Sequence, residues 1–301
     1  MTRIMSNEKT AYGKLSYEYS IGAIKSSAFQ PLSAEQLARL RDADYATAVK
    51  LMSEYGYPPV GGGVSVTDSI EKELSDTVAF VRANAPDPEL TDALLFEEDA
   101  LNLKIYLKAY RSGTNTDSFY MTEGAFPKEL LRICAETDDF SLLGEDIASS
   151  LEGIDKIDDP SVISCMIDSA MFAHSLSVAR KKKSNALIGL LEEYAIGRNR
   201  LTALRLKKLG RKITDYPFAF LSSNDVKDYY EKDEGKKESD IIADTSKALE
   251  AAIDGLEYDE GMGYVARFCF LKKNEAAALR LMFAEKSLTS QNDADGGVKN
   301  G

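Results

Sequence analysis

The groups in this chain that could do chemistry are few and far apart. A histidine base would have to be His174, the only histidine in 301 residues, and it stands among Met171, Phe172, Leu176 and Val178. That setting is a packed helix face, where a histidine serves as a hydrogen-bonded structural residue more often than as a base. The acid pairs Glu97–Glu98 and Glu192–Glu193 have the right chemistry for proton transfer. Paired acids are common on solvated helix faces, however, and in an acidic protein they carry little weight. Gly61, Gly62 and Gly63 lack the Lys-Ser/Thr that completes a phosphate loop and the strand that should lead into it, so they read as a linker. Cys134, Cys165 and Cys269 form no CxxC pair, and with one histidine they cannot supply four close zinc ligands. They read as buried, unpaired thiols of a reducing compartment. No residue is therefore assigned a catalytic, cofactor-binding or metal-binding role, and no cofactor is expected.

Composition narrows the partners. A formal net charge of -12 repels phosphate backbones, which excludes nucleic acid as a general partner but not a basic protein surface. With 44% hydrophobic and 29% charged residues the chain has the profile of a folded soluble protein rather than a disordered one. The opening "MTRIMSNEKTAYGK" is polar and does not read as a signal peptide. The most apolar stretch, "VISCMIDSAMFAHSLSVA", is interrupted by Asp168 and His174 and reads as an amphipathic soluble helix. A cytoplasmic protein is expected.

The elements that would position these groups are helical throughout. "SAEQLARLRDADYATAVKLMSEYGY" reads as one helix opened by a Ser33-x-x-Gln36 capping box and stopped by "PPVGGG". "TDSIEKELSDTVAFVRANA" follows, with Asp68-x-x-Glu71 as its expected cap. "LLFEEDALNLKIYLKAYRSG", residues 94–113, places Phe96, Ala100, Leu103, Leu107 and Tyr110 on one face and Leu101, Ile105 and Ala109 on a second. The spacing predicts burial on both sides, with Asp99 and Asn102 in a polar lane between. "EKDEGKKESD", residues 231–240, reads as a solvated loop or helix end, and the polar residues 290–301 as a disordered tail. No strand alternation persists, and the expected fold is all-α.

The central helix recurs, as "NRLTALRLKKLGR" and "NEAAALRLMFAEKSL". In register, Asn102 aligns with Asn199, Lys108 with Arg205 and Gly113 with Gly210, while Asp99 aligns with Glu275, Leu103 with Leu279 and Lys104 with Arg280. Ile196 replaces the acid in the second copy and Ala278 the asparagine in the third. A buried acid and amide must be hydrogen-bonded, or each costs about 1–3 kcal/mol. Lys104, Arg280 or backbone groups of a neighbouring helix are the expected partners, which would make the lane a register lock.

At these residues the sequence resembles a known family. "FEEDALNLKIYLKAYRSG" is similar to the acid-x-x-Asn-Leu-Lys helix of the C subunit of the bacterial and archaeal V/A-type ATPase, whose eukaryotic counterpart is the d subunit. "NRLTALRLKKLG" and "GMGYVARFCFLKKNEAAALRLMFAEKSL" resemble its later copies. Ile21 and Gly22 stand where an arginine is often seen in the family's first helix. The resemblance implies three related helical domains arranged as a pseudo-threefold funnel, here 1–116, 117–214 and 215–289 followed by the tail 290–301. It implies a non-catalytic central-stalk (rotor) subunit that couples the D and F subunits of the shaft to the membrane proteolipid ring. Such a subunit is peripheral on the cytoplasmic face, touches the membrane only through the ring, and serves ATP-driven transport of protons or sodium, or ATP synthesis. The alternative reading of the residues alone is a helical-repeat scaffold for another partner.

Overall fold

The computed structural model describes residues 15–116, 122–212, 216, 221, 233 and 235–296, with 289–296 described by backbone alone. The fold is all-α; among the described residues the β pairing is an isolated bridge between Gly61 and Val64.

Helix starts are set by short polar side chains that satisfy orphan backbone N–H groups. Ser16 caps α1 (Tyr17–Ser26). The Ser33–Gln36 box opens α2 (Ala34–Asp42), with both of its reciprocal hydrogen bonds present. The single helix expected from there to Tyr57 is in fact two. Asp44 accepts the N–H of Thr47 at 2.9 Å and starts α3 (Tyr45–Glu54), a case of a side chain offering the backbone a cap in place of continued helix. The next helix, α4 (Val66–Asn84), is capped by Ser65 rather than Asp68. Asp68 is instead the third helical residue, closing a box with Ser65, and Glu71 is left to reach across to other helices.

Asp87 and the following proline start α5 (Pro88–Ala93), which leads directly into α6 (Phe96–Ser112). Then come α7 (Lys128–Thr137), α8 (Glu145–Ser150), α9 (Pro160–Lys181) and α10 (Asn185–Lys208). The last two are α11 (Glu238–Asp254) and α12 (Met262–Gly296). The backbone of 290–296, where a disordered tail is expected, continues α12; residues 297–301 lie outside the described residues. Helix α9 is long and apolar enough, by length and composition, to cross a membrane. Ile163, Ile167, Met171, Phe172 and Leu176 on it are nevertheless buried, and it packs on α5, α6, α8 and α10.

Two apolar clusters hold these helices. The larger gathers Leu103 and Leu107 of α6, Leu131 of α7, Phe172 of α9, Leu187 of α10 and Val265 of α12. The smaller joins Leu40, Met52 and Ile70, from α2, α3 and α4, to Leu279 and Phe283 of α12. Full burial of such a side chain contributes about 1.5–3 kcal/mol. The last helix therefore belongs to both clusters and fastens the start of the chain to its end.

Helix α6 departs from its expected double burial. Phe96, Ala100, Leu103 and Leu107 are buried, but Leu101 is 52% and Tyr110 54% exposed, and Ile105 and Ala109 are half-buried. The buried side is one broad face, against α7 and α9, and it includes Asp99 and Asn102. The second apolar strip is left open.

Candidate functional site

The three recurring helices meet at one register position. Glu97 of α6, Tyr194 of α10 and Lys273 of α12 occupy equivalent places in the alignment of the copies. The Tyr194 hydroxyl donates to Glu97 Oε1 at 2.6 Å, and Lys273 Nζ lies 3.5 Å from Glu97 Oε2. Lys273 also donates to Glu98 Oε2 and to the carbonyl of Leu94, both at 2.8 Å. Burial works against its ammonium, but Glu98 and Glu97 outweigh that and hold its pKa above the ordinary lysine value. Around this hub, edge-to-face contacts of Phe96 with Phe172 (5.6 Å) and Tyr194 (5.5 Å), and of Tyr194 with Phe270 (6.4 Å), fix the ring positions.

The hub residues line a cleft of about 300 Å³ together with Leu101, Leu249, Asn274 and Ala277. Leu101 and Ala277 are again equivalent positions, one turn beyond Glu97 and Lys273, and both are exposed. The α10 counterpart, Arg198, is exposed with its guanidinium 6.0 Å from the centre of the Tyr194 ring. Each helix thus turns the same face outward as it leaves the hub.

Behind those faces runs the polar lane. Asp99, 2% exposed, accepts the backbone N–H of Ala125 at 3.0 Å and of Phe126 at 3.1 Å. Burial pushes its carboxyl up to about 7, and the two backbone donors only partly offset this. The approach is so close that a Cβ on Gly124 would lie 2.1 Å from Asp99 Oδ1, so any larger residue there must displace the carboxylate. Asn102 donates to the carbonyl of Thr122 at 2.9 Å. Asn199 likewise donates to the carbonyl of Leu221 and, unlike Asn102, also accepts that residue's N–H, each at 2.8 Å. In the third copy, Glu275 accepts the N–H of Leu32, the hydroxyl of Tyr57 at 2.5 Å and Lys272 Nζ at 2.7 Å. Lys272, 3% exposed, reaches Glu73 of α4 at 3.2 Å as well. Each central helix therefore grips a backbone segment. For α6 and α10 that segment comes later in the chain, and for α12 it comes from the start.

The lane is buried, and its partners on α6 and α10 are backbone groups, as one of the expected alternatives has it, but of segments outside the helices and not Lys104 or Arg280. Lys104 pairs with Asp168 of α9 at 2.6 Å, and Arg280 with Glu71 of α4. Gly113 and Gly210 end α6 and α10 in the left-handed region, at φ 66° and 65°, as their alignment implies. His174 sits on α9 with Nδ1 2.6 Å from Asp146, and Glu192 pairs at the surface with Arg180. Glu97 and Glu98 are not a solvated pair; they build the hub. Cys134 and Cys269 are buried, and Cys165 is half-buried. Burial pushes the Cys269 thiol up to about 12, well away from reactivity. Asp233, within the charge-rich stretch expected to be solvated, forms a two-pronged pair with Arg200 at 2.8 Å. Among the described residues no group of three or more His, Cys, Asp or Glu could hold a metal ion.

The profile of the ATP synthase (C/AC39) subunit family matches residues 22–257. The chain belongs to that family. Members of the C/AC39 family are structural, non-catalytic subunits of the V/A-type ATPase, peripheral to the membrane. Among curated proteins, none matches the chain. The family match ends before α12, so the equivalence of this last helix to α6 and α10 rests on the hub and on Glu275. The hub itself is readable in the aligned copies, where Glu97, Tyr194 and Lys273 fall in one column. The signal is an acid, a phenol and an ammonium at one position, three groups able to bond one another.

Proposed function

We propose that this C/AC39 protein is a non-catalytic central-stalk part of the rotor in a V/A-type rotary ATPase. It couples the D and F subunits of the shaft to the membrane proteolipid ring, on the cytoplasmic face, and reaches the membrane only through that ring. In this reading three related units, residues 1–116, 117–214 and 215–289, form a funnel about a pseudo-threefold axis.

The observation that carries the reading is the meeting of Glu97, Tyr194 and Lys273. In the funnel reading, the helices converge where these three residues touch beside a cleft and open beyond it, where they expose equivalent faces. Such a socket suits the end of a shaft. The exposed Leu101, Leu281 and Leu288 are apolar surface that a partner would cover. The lane behind is rigidly bonded, which a part that transmits torque requires.

Removal of this rotor part from the assembled complex tests the reading directly. ATP hydrolysis by the soluble sector is expected to persist while ion pumping is abolished. Loss of hydrolysis by the purified soluble sector on its removal would overturn the assignment.

A further inference from the structure

The three faces that leave the hub are chemically unlike. On α12 the positions after Lys273 are Ala277, Leu281, Ala284 and Leu288, all exposed and all apolar, the two leucines at 63% and 62%. On α10 the equivalent positions after Tyr194 are Arg198, Thr202, Arg205 and Leu209, the two arginines exposed and Leu209 67% exposed at the far end. Helix α6 is mixed, with Leu101 nearest the hub and Lys108 further out. One face is therefore wholly apolar, one carries two arginines before it ends in a leucine, and one is intermediate, on a chain whose net charge is -12.

We propose that these walls fix the angular register of the shaft in its socket. The inference rests on the shaft-seat reading above and adds the chemistry of the partner. The occupant is the end of a helical shaft that presents carboxylates to Arg198 and Arg205 and apolar side chains to Leu281 and Leu288. A socket with three equal walls would accept a shaft in three orientations of similar energy. Turning this shaft by one third would bring its carboxylates onto the leucines, desolvating charge without a partner, and would leave the arginines facing apolar groups. The α10 wall thus selects by attraction and the α12 wall by exclusion. A shaft keyed in this way cannot slip under torque without crossing both penalties.

The test uses the full-length chain and the purified complex of the D and F shaft subunits, titrated against each other at several salt concentrations. Arg198→Glu with Arg205→Glu is expected to weaken binding on the order of tenfold and to flatten its salt dependence. Leu281→Ser with Leu288→Ser is expected to weaken binding while leaving the salt dependence as in the wild type. All four side chains are exposed, so helix content should be unchanged, and the milder Arg198→Gln with Arg205→Gln gives an intermediate loss if the reversal impairs folding. Equal affinity and equal salt dependence of the wild type and the charge-reversed chain would overturn the keyed socket while leaving the shaft-seat reading standing. Failure of the D–F complex to bind the wild-type chain would overturn that reading and the inference with it.

Discussion

Tyr194 and Glu97 share a hydrogen bond of 2.6 Å and also share a position, each lying at the same register of its own copy of the central helix. With Lys273 they turn a repeat in the sequence into a contact in space. Lys273→Met leaves Glu98 buried beside Glu97 with no cation, and breaking a buried pair from one side costs about 3–5 kcal/mol. Tyr194→Phe removes one charge-assisted bond and should cost about 1.5–3 kcal/mol. Urea unfolding of the single variants and of Tyr194→Phe combined with Glu97→Gln measures the coupling. Strict additivity of the two changes would mean that the contact contributes nothing.

The grip of Asp99 on the Ala125 and Phe126 amides makes a second test. Asp99→Leu strands both donors inside the protein and should lower stability by roughly 1–3 kcal/mol. Gly124→Ala should be at least as disruptive, because the added methyl meets the carboxylate itself. An unchanged denaturation midpoint for Asp99→Leu would mean that the lane is open to water.

Asp99 also predicts a pH dependence. Its carboxyl is raised by burial from 3.8 to about 7. Between those values the native chain keeps a proton that the unfolded chain has released, so stability falls as pH rises. The contribution is complete below the unfolded value and is lost as pH passes through about 7. Wild-type protein should therefore unfold at lower denaturant near about pH 8 than near about pH 5, and Asp99→Asn should flatten that slope. A wild-type midpoint that does not drop over this range would show that the carboxylate is already ionised there.

A fourth prediction concerns the turn between α9 and α10. Arg180 is paired with Glu192, and Lys182 with Asp87 and Glu89, whereas Lys181 and Lys183 are exposed. If the proposed seat on the membrane sector uses such exposed charges, they are screened over about 8–10 Å, and raised salt should release the protein from the isolated sector. Lys181→Ala with Lys183→Ala should lower the salt needed for release and leave the unfolding midpoint where it was. Release at the same salt as the wild type would remove this turn from the interface.

The α-class, the copies and the buried lane can be read from the chain because each is written in periodicity and residue type. Gly113 and Gly210 mark the ends of two copies, and Asn102 and Asn199 mark the amide that each buries. Partners are harder, because a side chain's reach depends on the packing of distant helices. Lys104 stands just over one turn from Asp99 in sequence, yet Asp168 of α9 is what comes within 2.6 Å of it. Leu101 reads as buried and is not, because periodicity reports which residues share a face, not whether another element covers that face. The helix start at Asp44 is hidden within an unbroken apolar pattern, where the local cap competes with the helix and wins.

Glu275 and Lys272 have a mechanical meaning beyond register. Through them α12 holds Leu32, Tyr57 and Glu73, so the last helix is bonded to the first part of the chain, as α6 is bonded to Ala125 and Phe126. Among the described residues, the last helix is thus tied back to the first helices. A load that tries to peel α12 away must break these bonds together with the apolar cluster it shares with α2, α3 and α4. In the rotor role proposed above, a tie of this kind would let a twist applied on one side arrive on the other without being lost in flexing the part between.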